Sequence, residues 1–257
     1  MCFDLDARPP LPPIRGAALD SRDLTLTSAD ETQFSAFGAR ATGDAEAGIV
    51  IIPDVRGLHP YYEELALRFA EAGVHAVSVD LYARTAGGGT RGEGFEYEPH
   101  VKELRYETVN ADIAAALDYL RSEDGGAPNR LYTVGFCMGG RISFDQAAAQ
   151  PGLSGVIGMY GWPVGEHRSG IPAPADLADQ FTCKVLALYG GADKGISGEV
   201  RQAFDDALDR AGVEHQTVVY EGAPHSFFDR KSAEYAEASA DAWLRMLDFM
   251  GVERVGD

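Results

Sequence analysis

Cysteine is scarce in this 257-residue chain. Cys2, Cys137 and Cys183 are too few for a disulfide framework and too far apart in sequence for a C-x-x-C redox or metal motif. Basic residues are also in short supply, with 22 Lys plus Arg against 40 Asp plus Glu and a net charge of −18 at pH 7. Such a chain has no general attraction to phosphate backbones or anionic lipid, so the reading excludes nucleic acid and membrane partners. No stretch reaches the about 18 apolar residues of a spanning helix. The first residues have no basic n-region and no apolar h-region, which reads as a cytoplasmic, soluble protein. The Gly-rich stretch 87–94 lacks the Gly-Lys-Ser/Thr of a P-loop and reads as a mobile loop, a lid over a site. There is no internal repeat, no interdomain linker and no ligand cluster for a metal.

What is present is globular: 45% hydrophobic and 24% charged residues. Residues 1–22, with Pro9, Pro10, Pro12 and Pro13, read as an extended arm, and residues 23–257 as a single α/β domain. Residues 23–28 and 32–37 alternate apolar and polar side chains around a polar turn, the pattern of a hairpin. A fully apolar run at 48–53 and a second buried-strand run at 74–79 predict strands buried on both faces, and 130–134, 155–160, 184–189 and 216–220 predict four more. Between them come helical faces: Tyr62, Leu65, Ala66 and Phe69; Val109, Ile113, Ala116, Leu117 and Leu120; residues 141–149 and 198–211; and finally Ala236, Ala240, Trp243, Leu244 and Leu247. Strand alternating with helix implies a mostly parallel sheet with helices on both faces, and chemistry at the carboxyl ends of the strands.

Gly135-Phe136-Cys137-Met138-Gly139-Gly140 follows a predicted strand and opens a predicted helix. That is the setting of a nucleophile elbow, with Cys in the Ser position of G-x-S-x-G. The sulfur would sit near a helix N-terminus, where the dipole favours thiolate. A nucleophilic Cys needs a base and a group to orient that base, in the chain order nucleophile, acid, histidine. Asp193 follows the 184–189 strand through Gly-Gly-Ala, and His225 follows the 216–220 strand through Glu-Gly-Ala-Pro. The other histidines compete poorly. His75 and His215 open strands, His100 and His167 lie in polar loops with no strand before them, and His59 suits solvent at a helix start.

Together with the Cys elbow, Asp80-Leu81-Tyr82-Ala83-Arg84, Tyr160-Gly161 and Pro224-His225-Ser226-Phe227 resemble the dienelactone hydrolases of the α/β-hydrolase superfamily, over residues 24–250. The resemblance implies Cys137 as nucleophile, His225 as base and Asp193 as its orienter. It implies an oxyanion hole from the backbone N–H groups of Met138 and Val55. The family's thiol-activating glutamate is matched here by the shorter Asp54, which would either reach the sulfur or hold its loop. Of the arginines that grip a substrate carboxylate in the family, one position is Asp229 here, with Arg230 displaced by one, and Arg91 is the candidate for the other. Tyr160 and Trp162 would form an aromatic wall of the pocket.

The expected activity is hydrolysis of a dienelactone-like lactone or activated carboxylic ester through a Cys thioester acyl-enzyme, without metal or cofactor. The expected partner is a small-molecule ester or lactone, the protein being a monomer or homodimer. Two rivals stay open on the same fold: a broad carboxylesterase or thioesterase, and a non-hydrolytic binding or redox-sensor protein using Cys137, with Cys183 as its resolving thiol.

Overall fold

The structure, a computed structural model, describes residues 9–11, 20–43, 45–92, 94–228 and 234–252. Of the Pro-rich arm only 9–11 and 20–22 are therefore seen: Leu11 packs on the core, and 20–22 already belong to the first strand.

The hairpin forms as its alternation requires. β1 (Asp20–Thr27) pairs antiparallel with β2 (Gln33–Arg40), in a register that sets Leu24 against Ala36 and Leu26 against Phe34. The two apolar runs become β3 (Ala47–Ile52) and β4 (Val74–Val79), both buried at every position. They are joined by α1 (Pro60–Glu71), which begins with Pro at its first turn, where the missing N–H costs nothing. β2 adds antiparallel to β4, and all pairings beyond β4 are parallel. Two short helices, α2 (Ala83–Ala86) and α3 (Tyr97–Glu103), precede the long α4 (Tyr106–Arg121). β5 (Arg130–Phe136), α5 (Met138–Ala149), β6 (Gly155–Met159), a 3-10 segment at Pro174–Gln180, and β7 (Lys184–Gly190) follow. Next come α6 (Gly198–Ala211), β8 (His215–Tyr220) and α7 (Ala236–Met250). α6 is bounded as its sequence dictates: Ser197 Oγ accepts from the Val200 N–H at 3.4 Å, and Gly212 closes it in the left-handed region.

The eight strands run in the order β1-β2-β4-β3-β5-β6-β7-β8. α1 and α7 cover one face, where the Phe69 and Trp243 rings meet at 4.7 Å. α4, α5 and α6 cover the other, tied by Gln146 Nε2 to Asn110 Oδ1 (2.9 Å) and by Phe144 on Phe204 (4.9 Å between centroids). The chain reverses its direction across the sheet between β3 and β5, so a crevice opens at their carboxyl ends. This is the architecture the alternation implies.

The loop at 87–94 corrects its reading as a lid. Gly89 N–H donates to Ser35 Oγ (2.7 Å) and Arg91 N–H to Leu58 O (2.6 Å), so its described residues are tied to the hairpin and to the loop before α1.

Candidate active site

β5 ends at Phe136 and α5 starts at Met138, leaving one residue, Cys137, to turn the chain. It does so at φ 56° and ψ −115°, a region that an L residue enters only under strain from its surroundings. Cys137 N–H is held by Met159 O at 3.0 Å, and its carbonyl accepts from Gly140 (3.0 Å) and Arg141 (3.3 Å). Gly139 is required by close approach: a Cβ there would stand 2.2 Å from Ile52 O. The start of α5 thus leans on the end of β3, bringing the 53–57 loop beside Cys137. Met138, as the first helical residue, has an N–H with no acceptor inside the helix.

The other two groups arrive on neighbouring loops. Gly191 N–H bonds Tyr220 O (2.8 Å) and Ala192 N–H bonds Ala223 O (2.9 Å), which clamps the turn after β7 to the turn after β8. Only glycine fits at 190, where a Cβ would lie 2.4 Å from Ala223 O. Across this clamp His225 Nδ1 meets Asp193 Oδ2 at 2.6 Å, while Asp193 Oδ1 accepts from the N–H groups of Gly195 (2.8 Å) and Ile196 (3.3 Å). Those donors occupy the carboxylate's other oxygen and fix its plane. His225 is hydrogen-bonded on its far side to Cys137. Burial pulls the His225 imidazolium down, but the bonds to Asp193 and Cys137 outweigh it and raise the group to about 10. Burial likewise opposes the Asp193 carboxylate, and the bonds from His225 and the two N–H groups overcome it and hold Asp193 below its usual range.

The structure thus brings together Cys137, Asp193 and His225, the three residues selected by chain order. They open on a cavity of about 220 Å3 whose walls include Tyr160, Trp162 and Ile196. Tyr160 is buried, with φ 42°, and its ring lies 4.9 Å from that of His225. Trp162 is 42% exposed, a large exposed apolar side chain at the mouth.

Residues 34–253 match the dienelactone hydrolase family. The chain belongs to that family. A Salmonella typhimurium protein provisionally named a carboxymethylenebutenolidase is 31% identical over 236 residues, 89% of this chain and 86% of its own. A Yersinia pestis protein of the same provisional name is 31% identical over 210 residues, 78% of this chain and 76% of its own. Among solved structures, a provisionally named dienelactone hydrolase from Klebsiella pneumoniae superposes with a TM-score of 0.80 at 27% identity, covering 92% of this chain and all of that one. The α/β-hydrolase fold is thereby shown.

Against this family pattern, the remaining expected residues fall in different places. Val55 is buried, and its carbonyl accepts from Tyr82 Oη at 2.6 Å, which fixes the loop beside the elbow. Asp54 is buried with both carboxylate oxygens on Arg56: Oδ1 takes its N–H at 2.8 Å and Oδ2 its Nη2 at 3.2 Å. Arg91 is not brought to the pocket. The fully buried Asp80 needs a counter-charge, and Arg91 supplies it through Nε to Oδ1 (3.0 Å) and Nη2 to Oδ2 (2.6 Å). Arg230 lies outside the described residues. Cys183 precedes β7 while Cys137 follows β5, at opposite ends of the sheet. A seven-residue strand is about 20 Å long, beyond any disulfide, and burial pushes the Cys183 thiol up to about 12. Among the described residues no His, Cys, Asp and Glu cluster could hold a metal ion, and no helix is long and apolar enough to cross a membrane.

Four lining residues were not expected as site residues, Arg141, His167, Gly195 and Ile196, and two of them carry polar side chains, Arg141 and His167. Arg141 sits one turn beyond Cys137, and that spacing was the signal for it. His167 lies eight residues beyond the end of β6 in a polar stretch, where nothing local marked it. His59 also departs from its reading: it is fully buried at the start of α1, its ring edge-on to Tyr62 at 5.0 Å.

Proposed function

We propose that the protein opens lactones or cleaves activated carboxylic esters by way of a thioester on Cys137, with no cofactor taking part. The observation that carries this reading is the hydrogen-bonded series Cys137, His225, Asp193 at the end of an apolar cavity. With His225 raised to about 10 and therefore protonated at pH 7, Cys137 stands as the thiolate of an ion pair, and its Sγ attacks the carbonyl carbon. The resulting oxyanion is held by the Met138 and Val55 N–H groups, each such donor being worth about 3 kcal/mol. Collapse breaks the C–O bond, and the leaving oxygen takes the proton from His225. Water then gives a proton to His225 and attacks the thioester carbon, and Cys137 departs as thiolate. Asp193 keeps the imidazole oriented throughout. Asp54, spent on Arg56, orders the loop that carries Val55.

The substrate is a small ester or lactone whose acyl part lies against Tyr160 and Trp162. With Arg91 committed to Asp80, the reading favours esters and lactones broadly over a substrate gripped by that arginine. The test follows turnover of cis- and trans-dienelactone and of p-nitrophenyl esters by ultraviolet and visible absorbance, with Cys137→Ala alongside. Turnover falling about 10⁴-fold or more in the variant is expected. Undiminished turnover by Cys137→Ala would sink the mechanism.

A further inference from the structure

Arg141 is 1% exposed and acts as a fork for the loop that follows β6. Nη1 donates to Trp162 O (3.1 Å), and Nη2 to Gly165 O (2.8 Å) and Ile171 O (2.9 Å). One guanidinium, rooted a turn beyond the nucleophile, therefore sets the shape of residues 162–171. Among the described residues it makes no ion pair. Asp145, one turn further along α5, is fully buried with no hydrogen-bond partner, and burial holds its carboxyl well above the carboxylate range.

The loop held in this way carries His167 into the wall of the catalytic cavity. The Ser169 backbone N–H donates to His167 Nδ1 at 3.2 Å, and Ser169 Oγ lies 2.5 Å from the same atom. Ser169 Oγ itself accepts from the Ile171 N–H at 3.3 Å, so its own hydrogen is turned to the ring. A backbone amide can only donate, so Nδ1 is the bare nitrogen and the proton sits on Nε2. Burial first, then Arg141 and Arg168, push His167 down to about 4, so the imidazole is neutral at pH 7. The ring also lines an adjoining open cavity of about 460 Å3, shared with Arg141.

We propose that His167 is a specificity residue that presents Nε2–H to an oxygen acceptor on the substrate, away from the scissile carbonyl, and that Arg141 is the positioning residue that holds it there. This rests on the proposed hydrolysis. A site built around a fixed donor in a largely apolar wall disfavours a substrate that leaves the donor without an acceptor. Substrates with a keto, hydroxyl or carboxylate oxygen a few bonds from the ester carbonyl are preferred over plain alkyl esters of the same length.

The experiment compares p-nitrophenyl pentanoate with p-nitrophenyl 4-oxopentanoate and the p-nitrophenyl half-ester of succinate, reading the ratio of kcat/KM of each acceptor-bearing ester to pentanoate. The expected ratio is about 10 or more for the parent protein and close to 1 for His167→Leu. Arg141→Lys, which keeps the charge but not the three-carbonyl fork, falls between parent and His167→Leu, whereas Arg141→Met matches the latter. Independently of any variant's folding, 15N-histidine spectra of the parent should show His167 protonated on Nε2 alone. A parent ratio near 1, a ratio that survives His167→Leu, or a proton on Nδ1 overturns the proposal. Turnover of none of the three esters would instead overturn the hydrolase reading on which it stands.

Discussion

Cys137, Tyr160 and Ser226 are three of the five non-glycine residues with positive φ among those described, and all three stand at the site. Strain of that kind persists only where neighbours over-determine the backbone, here Met159 O on Cys137 N–H and Leu188 O on Tyr160 N–H. At this scale the grouping of Cys137, Asp193 and His225 was legible, because each member follows a strand in a fixed chain order. Arg91 was not, because its fate depends on Asp80 being buried without another counter-charge. A residue-scale prediction concerns His59, which burial above all pushes from 6.5 down to about 4. A histidine that stays neutral in the fold while the unfolded chain takes up a proton loses stability as pH falls below 6.5, and the loss is complete once pH passes 4. Between about pH 7 and pH 5 this amounts to about 2 kcal/mol. Urea unfolding at both pH values should show that loss in the parent and a shallower one in His59→Phe, and equal slopes would refute the assignment.

The elbow shows how elements rather than residues position chemistry. α5 can start against β3 only because position 139 has no side chain, its Cβ site being 2.2 Å from Ile52 O and 2.3 Å from Pro53 O. Backbone cannot give way as a flexible side chain can, so Gly139→Ala must push α5 off the sheet. The expected cost is about 3 kcal/mol or more, read as a lowered thermal midpoint, with Cys137 displaced and ester turnover reduced at temperatures where the variant is still folded. A midpoint within a degree or so of the parent would show that the helix absorbs the methyl elsewhere. The long elements were readable from their period. α2 and α3, of four and seven residues, complete too few turns to print an apolar face, so neither was read as a helix. The direction of β2 in the sheet was likewise unreadable, since pairing partners lie far apart in sequence.

For the whole molecule the dominant number is the net charge of −18. Like charges over one surface repel, and salt screens them, the Debye length falling from about 30 Å at 0.01 M to about 8 Å at physiological ionic strength. The thermal midpoint is expected to rise by a few degrees over that range. A falling midpoint would mean that ion pairs such as Arg84 with Asp30 and Asp112 outweigh the general repulsion.

By itself the sequence determined the α/β layering, the elbow and the chain order of Cys137, Asp193 and His225, because each is written in local period, turn chemistry or position after a strand. Only the tertiary structure decided which polar side chains share the cavity. Arg141 and His167 are there and Arg91 is not, because burying a charged or polar group forces it onto whatever partner the fold brings within reach. For Arg91 that is a carboxylate eleven residues away, and for Arg141 it is three loop carbonyls twenty-one to thirty residues on.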